Sequence, residues 1–112
     1  MNDELDEFVK ICKVDDLKEE IGKRFLVNDV EVAVFKVDGK VYAVSNICPH
    51  QHTHLIYDGF IENGKVGCPL HGWMFDLKTG NMAEGRRGLD SYQVKIVGGE
   101  VYVKVFKKEF NW

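Results

Sequence analysis

The chain has 112 residues, 45% of them apolar, which is enough for one domain over residues 1–112 with an ordinary hydrophobic core and excludes a multidomain machine. Its three cysteines, Cys12, Cys48 and Cys68, allow at most one disulfide, so a disulfide-stapled secreted scaffold is excluded. With 15 Lys and Arg against 18 Asp and Glu, the net charge of −3 gives no electrostatic reason to expect a nucleic-acid or anionic-membrane partner.

The N-terminus is acidic, whereas an export signal would be basic and then apolar. The mean hydropathy is negative and no apolar run approaches the roughly 18 residues of a membrane-spanning helix. These features predict a cytoplasmic protein. A short helix is then predicted over Asp15–Ile21, with an Asp as N-cap and Gly22 as its stop.

Strand-favouring segments flank three tight turns, in which Gly accepts a positive φ and Asn or Asp tolerates one. The turns are Asp38-Gly39, Asn63-Gly64 and Gly98-Gly99. The first turn joins strands over Val30–Val37 and Lys40–Val44, and the last joins Ser91–Val97 to Val101–Phe106. Apolar residues alternate with polar ones in the last hairpin, which indicates strands with one buried face. The whole pattern predicts an antiparallel all-β sandwich or small barrel.

Two short runs between the first and last hairpins combine cysteine with histidine. They are Cys48-Pro49-His50 and Cys68-Pro69-Leu70-His71, separated by the 17 residues from Gln51 to Gly67. A lone Cys or His is usually a packing or surface residue, but four of them at two matched spacings indicate a metal site. Each run offers one thiolate and one imidazole, and the prolines stiffen both loops.

Two kinds of metal site fit this donor set: a structural Cys2His2 zinc site and a 2Fe-2S cluster with two cysteines on one iron and two histidines on the other. Zinc fingers usually take both cysteines from one arm and both histidines from the other, whereas both arms are mixed here. Mixed arms favour the dinuclear centre, because each loop can then ligate both irons.

At these residues the sequence resembles the Rieske ferredoxins, whose motif is Cys-x-His, a spacer, and Cys-x-x-His. The resemblance covers almost the whole length, including Gly72-Trp73 after the second arm and the closing hairpin with Val101-Tyr102-Val103. It implies a Rieske fold, in which stacked antiparallel sheets carry a small cluster-binding subdomain of two ligand loops, here about residues 45–85. It also implies that Cys48, His50, Cys68 and His71 bind one 2Fe-2S cluster.

The resemblance further implies a one-electron carrier rather than an enzyme, which receives electrons from a flavin-dependent reductase and passes them to a terminal oxygenase or similar acceptor. Two alternatives stay open: the small subunit of a nitrite reductase, and a zinc-stabilised binding module.

Within the family the chain looks like the soluble, oxygenase-associated ferredoxin type, and four positions indicate this subgroup. Rieske proteins of membrane complexes have a disulfide between the ligand loops, where this chain has Thr53 and Leu70, and hydroxyls near the cluster, where it has Trp73 and Phe75. Without those hydrogen bonds the potential is expected near the low end of the Rieske range of about −150 to +300 mV. Histidine ligands exposed to solvent also predict a potential that falls with pH in the alkaline range.

Several residues depart from the family pattern or have weaker signals. His52 and His54 are expected on the exposed first loop, where either could hydrogen-bond near the cluster or a partner. Arg86-Arg87 could dock an acidic partner. Cys12 is expected to be a small packing residue, and the tail Phe106–Trp112 to pack on the domain.

Overall fold

A computed structural model describes residues 8–48, 53–69, 72–82 and 88–106. These residues form nine strands and two single-turn 3-10 helices, Val14–Asp16 and Ile56–Asp58. The strands are β1 (Val9–Lys13), β2 (Lys23–Val27), β3 (Val30–Val37), β4 (Lys40–Ser45), β5 (Phe60–Glu62), β6 (Lys65–Gly67), β7 (Met74–Asp76), β8 (Ser91–Val97) and β9 (Glu100–Lys104).

The strands form two sheets in which every pairing is antiparallel. The large sheet has the order β1-β9-β8-β4-β3-β2, and the small sheet has the order β5-β6-β7. The two edge strands of the large sheet, β1 and β2, contact each other, so this sheet curls toward closure. The predicted antiparallel all-β architecture is confirmed. Within the described ranges, no helix is both long and apolar enough to cross a membrane.

All three predicted hairpin turns are present, and both residues of each turn have the positive φ that was expected. At Asp38-Gly39 the φ angles are 54° and 78°, and at Asn63-Gly64 they are 52° and 76°. A fourth hairpin, between β2 and β3, was missed. Its turn is Asn28-Asp29, with φ angles of 49° and 68°, and lacks the glycine by which the other three were found.

The predicted helix over Asp15–Ile21 is wrong. Only Val14–Asp16 forms a helical turn, and Glu20 then adopts a left-handed φ of 63°. The backbone N–H of Glu20 donates to the carbonyl of Lys36 at 2.7 Å, so this segment joins the sheet instead. A helix would need a buried face, but Leu17 is buried while Ile21 is 58% exposed, which leaves no apolar stripe to pack.

Two groups of buried residues make up the interior. The sheet core consists of Leu17, Val27, Val32, Val34, Ala43, Tyr92, Val101 and Val103. The cysteine core consists of Ala33, Phe35, Val44, Cys48, Ile56, Val66, Cys68, Phe75, Leu77 and Leu89. Strand β3 contributes to both cores, because Val32 and Val34 face one while Ala33 and Phe35 face the other. The cysteine core therefore rests directly on the back of the sheet core.

Candidate metal centre

Two loops closed by equivalent backbone hydrogen bonds begin at the predicted cysteine ligands. The N–H of Cys48 donates to the carbonyl of Thr53 at 2.8 Å, and the N–H of Cys68 donates to the carbonyl of Trp73 at 2.9 Å. Each bond closes a loop on the residue five positions after the cysteine. The second loop has an additional bond from the N–H of Gly72 to the Cys68 carbonyl, with Gly72 at a φ of 74°. Backbone hydrogen bonds therefore fix where each cysteine sits.

Both cysteines are buried in the same apolar group. Cys48 and Cys68 are each 2% exposed and belong to the cysteine core together with Val66 and Phe75. Thiolates are the soft ligands that iron–sulfur clusters require, and an apolar shell restricts water around them. The two side chains that the sequence assigned to one iron are thus brought into one part of the structure.

The two predicted histidine ligands, His50 and His71, lie outside the described residues. So do His52 and the pair Arg86-Arg87. Within the residues that are described, no group of three or more His, Cys, Asp or Glu side chains is placed to hold a metal ion. The structure accordingly describes two of the four predicted ligands, and the full ligand set stays a prediction.

The third cysteine lies outside this arrangement. Cys12 lies in β1 and packs, half-buried, against the sheet core. Burial, with a smaller contribution from Asp16, raises the pKa of its thiol. A raised pKa keeps a thiol protonated and unreactive. The position of Cys12 agrees with a packing role.

A buried asparagine connects the first loop to the large sheet. Asn46 is fully buried, and its Nδ2 donates to Glu31 Oε1 at 3.0 Å and to the carbonyl of His54 at 3.1 Å. Its Oδ1 accepts from the N–H of Tyr57 at 2.8 Å. The sequence analysis missed this residue. Its only local signal is a polar residue placed between a strand and a candidate ligand.

His54, flagged as unusual in the sequence, pairs with a carboxylate. Its Nδ1 lies 2.8 Å from Glu31 Oε2, and its side chain is half-exposed. Partial burial would raise the pKa of Glu31, but hydrogen bonds from Asn46 and His54, followed by the charges of His54 and Arg24, lower it below its ordinary value. His54 therefore lies on an exposed loop as expected, and its partner is a residue of β3.

Residues at both ends of a third segment also contact the cysteine core. The N–H of Leu89 donates to the carbonyl of Gly80 at 2.7 Å, which closes the segment that follows β7. A side chain at Gly88 would meet the Phe75 ring at 2.6 Å, so only glycine allows this approach. Trp73 and Met82 pack, partly buried, against the same core.

One buried polar atom in this region lacks a partner. Thr53 Oγ1 is buried, and no hydrogen-bond partner for it exists in the described part of the chain. It belongs to the residue whose carbonyl closes the first cysteine loop. A buried thiol in each loop, with an unsatisfied hydroxyl on the residue that closes the first loop, gives a donor set that suits a sulfur-containing metal cluster.

Comparison with known families is consistent with this arrangement. A profile of the Rieske-like 2Fe-2S domain matches residues 7–104. The ferredoxin component of the alkene monooxygenase system from Xanthobacter autotrophicus is 34% identical over 98 residues, which are 87% of this chain and 80% of that protein.

Solved structures also resemble the fold. The ferredoxin of carbazole 1,9a-dioxygenase from Nocardioides aromaticivorans superimposes with a TM-score of 0.79 at 30% identity, over 87% of this chain and 96% of that one. A protein assigned as the small subunit of an NADPH nitrite reductase superimposes with a TM-score of 0.78 at 31% identity, over 88% of this chain and 98% of that one.

Proposed function

Because the chain belongs to the Rieske-like 2Fe-2S domain family, we propose that it carries single electrons from a flavin-dependent reductase to a terminal oxygenase. It is an electron-transfer component with a Rieske 2Fe-2S cluster, not an enzyme in itself. We place the cluster on Cys48, His50, Cys68 and His71, within the segment of about residues 45–85. The observation that carries this placement is the pair of cysteine loops with equivalent closing hydrogen bonds.

Each residue has a distinct task in this proposal. The thiolates of Cys48 and Cys68 ligate one iron and the imidazoles of His50 and His71 the other, as the family pattern implies. A bound cluster supplies reversible one-electron chemistry. Backbone hydrogen bonds from the N–H groups of Cys48 and Cys68 would hold the sulfur ligands in place in both oxidation states of the cluster. The apolar neighbours of the two cysteines keep water from the sulfurs.

The surroundings of the cysteines support a low potential within the Rieske range. Trp73 and Phe75 occupy the positions at which Rieske proteins of membrane complexes have hydroxyls, and neither side chain can donate an O–H hydrogen bond. Phe75 is fully buried in the cysteine core, so it also places apolar surface there. An apolar environment disfavours added negative charge and lowers the potential.

The relatives support the acceptor but not the donor. One relative is the ferredoxin component of an alkene monooxygenase system and another is the ferredoxin of a dioxygenase. An oxygenase is therefore the acceptor that we propose, and a flavin-dependent reductase is the donor expected for such a chain.

A second candidate function is that of a nitrite reductase small subunit. It is favoured by a solved subunit of that kind at 31% identity over nearly its whole length. The two candidates differ in their acceptor, so electron transfer to each can be measured separately.

The test begins with the purified, full-length protein from iron-replete cells. We expect a coloured protein with two irons and two sulfides, and a paramagnetic resonance signal after dithionite reduction. The reduced protein is then mixed in a stopped-flow instrument with oxygenase or nitrite reductase partners encoded near it. Fast reoxidation by the oxygenase supports the proposal, and reoxidation by nitrite reductase alone supports the second candidate. A colourless protein with stoichiometric zinc would overturn both.

A further inference from the structure

The hydroxyl of Thr53 is the one unsatisfied buried side-chain oxygen or nitrogen in the described ranges. Its residue is otherwise well bonded, because the Thr53 carbonyl accepts the N–H of Cys48 at 2.8 Å. The fully buried Asn46 nearby uses both ends of its amide. Asn46 is thus fully satisfied, whereas the Thr53 hydroxyl has no partner among the described residues.

An unsatisfied buried hydroxyl destabilises a protein by about 1 to 3 kcal/mol relative to a hydroxyl with a partner. A valine would fill the same volume without that cost, so a threonine in this place indicates an acceptor other than the described residues. Neither a described backbone carbonyl nor the sulfur of Cys48 accepts from Thr53 Oγ1. A group bound between the two cysteine loops would supply the acceptor that the described residues lack.

We propose that Thr53 Oγ1 donates a hydrogen bond to an inorganic sulfide of the bound 2Fe-2S cluster and raises its reduction potential. This inference rests on the proposed placement of the cluster at Cys48 and Cys68. Sulfide is negatively charged, and it becomes more negative when the cluster gains an electron. A donated hydrogen bond therefore stabilises the reduced state more than the oxidised state. Thr53 thereby supplies one O–H donor in a chain that has no hydroxyl at positions 73 and 75.

The test compares T53V with T53S in the cluster-containing protein by protein-film voltammetry at pH 7. T53V keeps the volume and removes the hydroxyl, and we expect about a tenfold smaller equilibrium constant for reduction, which is about 59 mV for one electron. T53S keeps the hydroxyl and is expected within about threefold of the wild type. The control is T79V, at the only other threonine of the chain, whose exposed hydroxyl accepts a bond from the N–H of Asn81 and which should leave the potential unchanged.

A second measurement detects the hydrogen bond itself. Pulsed paramagnetic resonance of the reduced protein in D2O should show an exchangeable deuteron coupled to the cluster that is absent in T53V. If T53V does not retain its cluster, T53A gives the same comparison. An unchanged potential and coupling in a hydroxyl-free variant with an intact cluster overturns the inference, as does an equal shift in T53S. Neither result touches the ligand assignment, which instead fails if C48S keeps the native spectrum.

Discussion

The two cores of the molecule are built in different ways. The sheet core lies among strands of five to eight residues and contains only apolar side chains and one tyrosine. The cysteine core lies between the large sheet and three strands of three residues each, and it includes both described candidate ligands. Strands this short are marginal by themselves.

This difference indicates where stability and function are located. The sheet core can be maintained by burial of apolar surface alone, whereas the cysteine core depends on backbone loop closures, on Asn46 and, in our proposal, on the bound cluster. Loss of the cluster should therefore loosen the cysteine core first and leave the sheet core folded.

The cysteine variants give the largest expected contrast between the two cores. C48S or C68S removes a thiolate from the cysteine core, and we expect loss of the native visible and paramagnetic resonance spectra. The matched control, C12S, changes the cysteine that packs against the sheet core and should retain full iron and sulfide content. Metal analysis of the three purified variants checks this, and a native spectrum in C48S or C68S would contradict the ligand assignment.

Asn46 connects the first cysteine loop to the large sheet, so its replacement should weaken that connection. N46L leaves the Tyr57 N–H and the His54 carbonyl without their partner, at an expected cost of about 2 to 4 kcal/mol in the free energy of unfolding. The comparison variant S45A removes only the hydroxyl that accepts from the N–H of Ile47, for about 1 kcal/mol. Urea titrations followed by circular dichroism measure both values, and equal losses would refute a special role for Asn46.

The same substitution, valine to alanine, can be made at a buried position in each core. Val66 and Val103 are both fully buried, one in each core, and V66A or V103A should lower the free energy of unfolding by about 1.5 to 3 kcal/mol. Only V66A should also speed the release of iron to a chelator. Chelator kinetics at a temperature well below unfolding test this, and faster release in V103A would show that the cores are not independent.

The sheet core contains a group that titrates at alkaline pH. Burial, followed by the charge of Asp90, raises the pKa of Tyr92 from 10.0 to about 12. The folded state thus favours neutral tyrosine, and its contribution to stability is complete below pH 10 and is lost as the pH rises to about 12. Unfolding free energies measured across this range should decline less steeply in Y92F than in the wild type.

The site region contains a group that titrates at acid pH, with the smallest expected effect. Because the pKa of Glu31 is lowered in the folded state, its contribution is present above the pKa of an unfolded glutamate and is lost as the pH falls through the lowered value. The partly exposed pair with His54 limits the effect to less than about 1 kcal/mol. The decline below pH 5 should be shallower in E31Q, and identical profiles would show that the pair is not coupled to folding.

Much of the large sheet could be predicted from the sequence, because its signals are local. Gly39 and Gly99 mark turns of this sheet that require a positive φ, and Gly64 marks one in the small sheet; the strands beside them follow. The turn at Asn28-Asp29 has the same geometry without a glycine, so β2 was missed. The local pattern also predicted a helix over residues 15–21, which is wrong. There the backbone N–H of Glu20 donates a hydrogen bond to the carbonyl of Lys36, sixteen positions away in the chain.

The candidate ligands could also be predicted from local sequence, because each pair of cysteine and histidine lies within four residues. The residues that surround the ligands could not be predicted in this way. Glu31 meets Asn46 and His54 across 15 and 23 positions of sequence, and only the folded sheet brings them together. The unsatisfied state of the Thr53 hydroxyl could not be predicted either, because it depends on burial in the folded protein.

The side chains of strand β3 determine its register with the neighbouring strands β2 and β4. Its four central residues, Val32, Ala33, Val34 and Phe35, are all fully buried, so the hydrophobic pattern alone does not distinguish its two faces. Side-chain size does, because a slip of one residue would move Phe35 into the sheet core and place valines in the space that it fills beside Gly22. The alternation of one small and one large side chain on a single face thus aligns the cofactor-binding half of the molecule with the half that supports it.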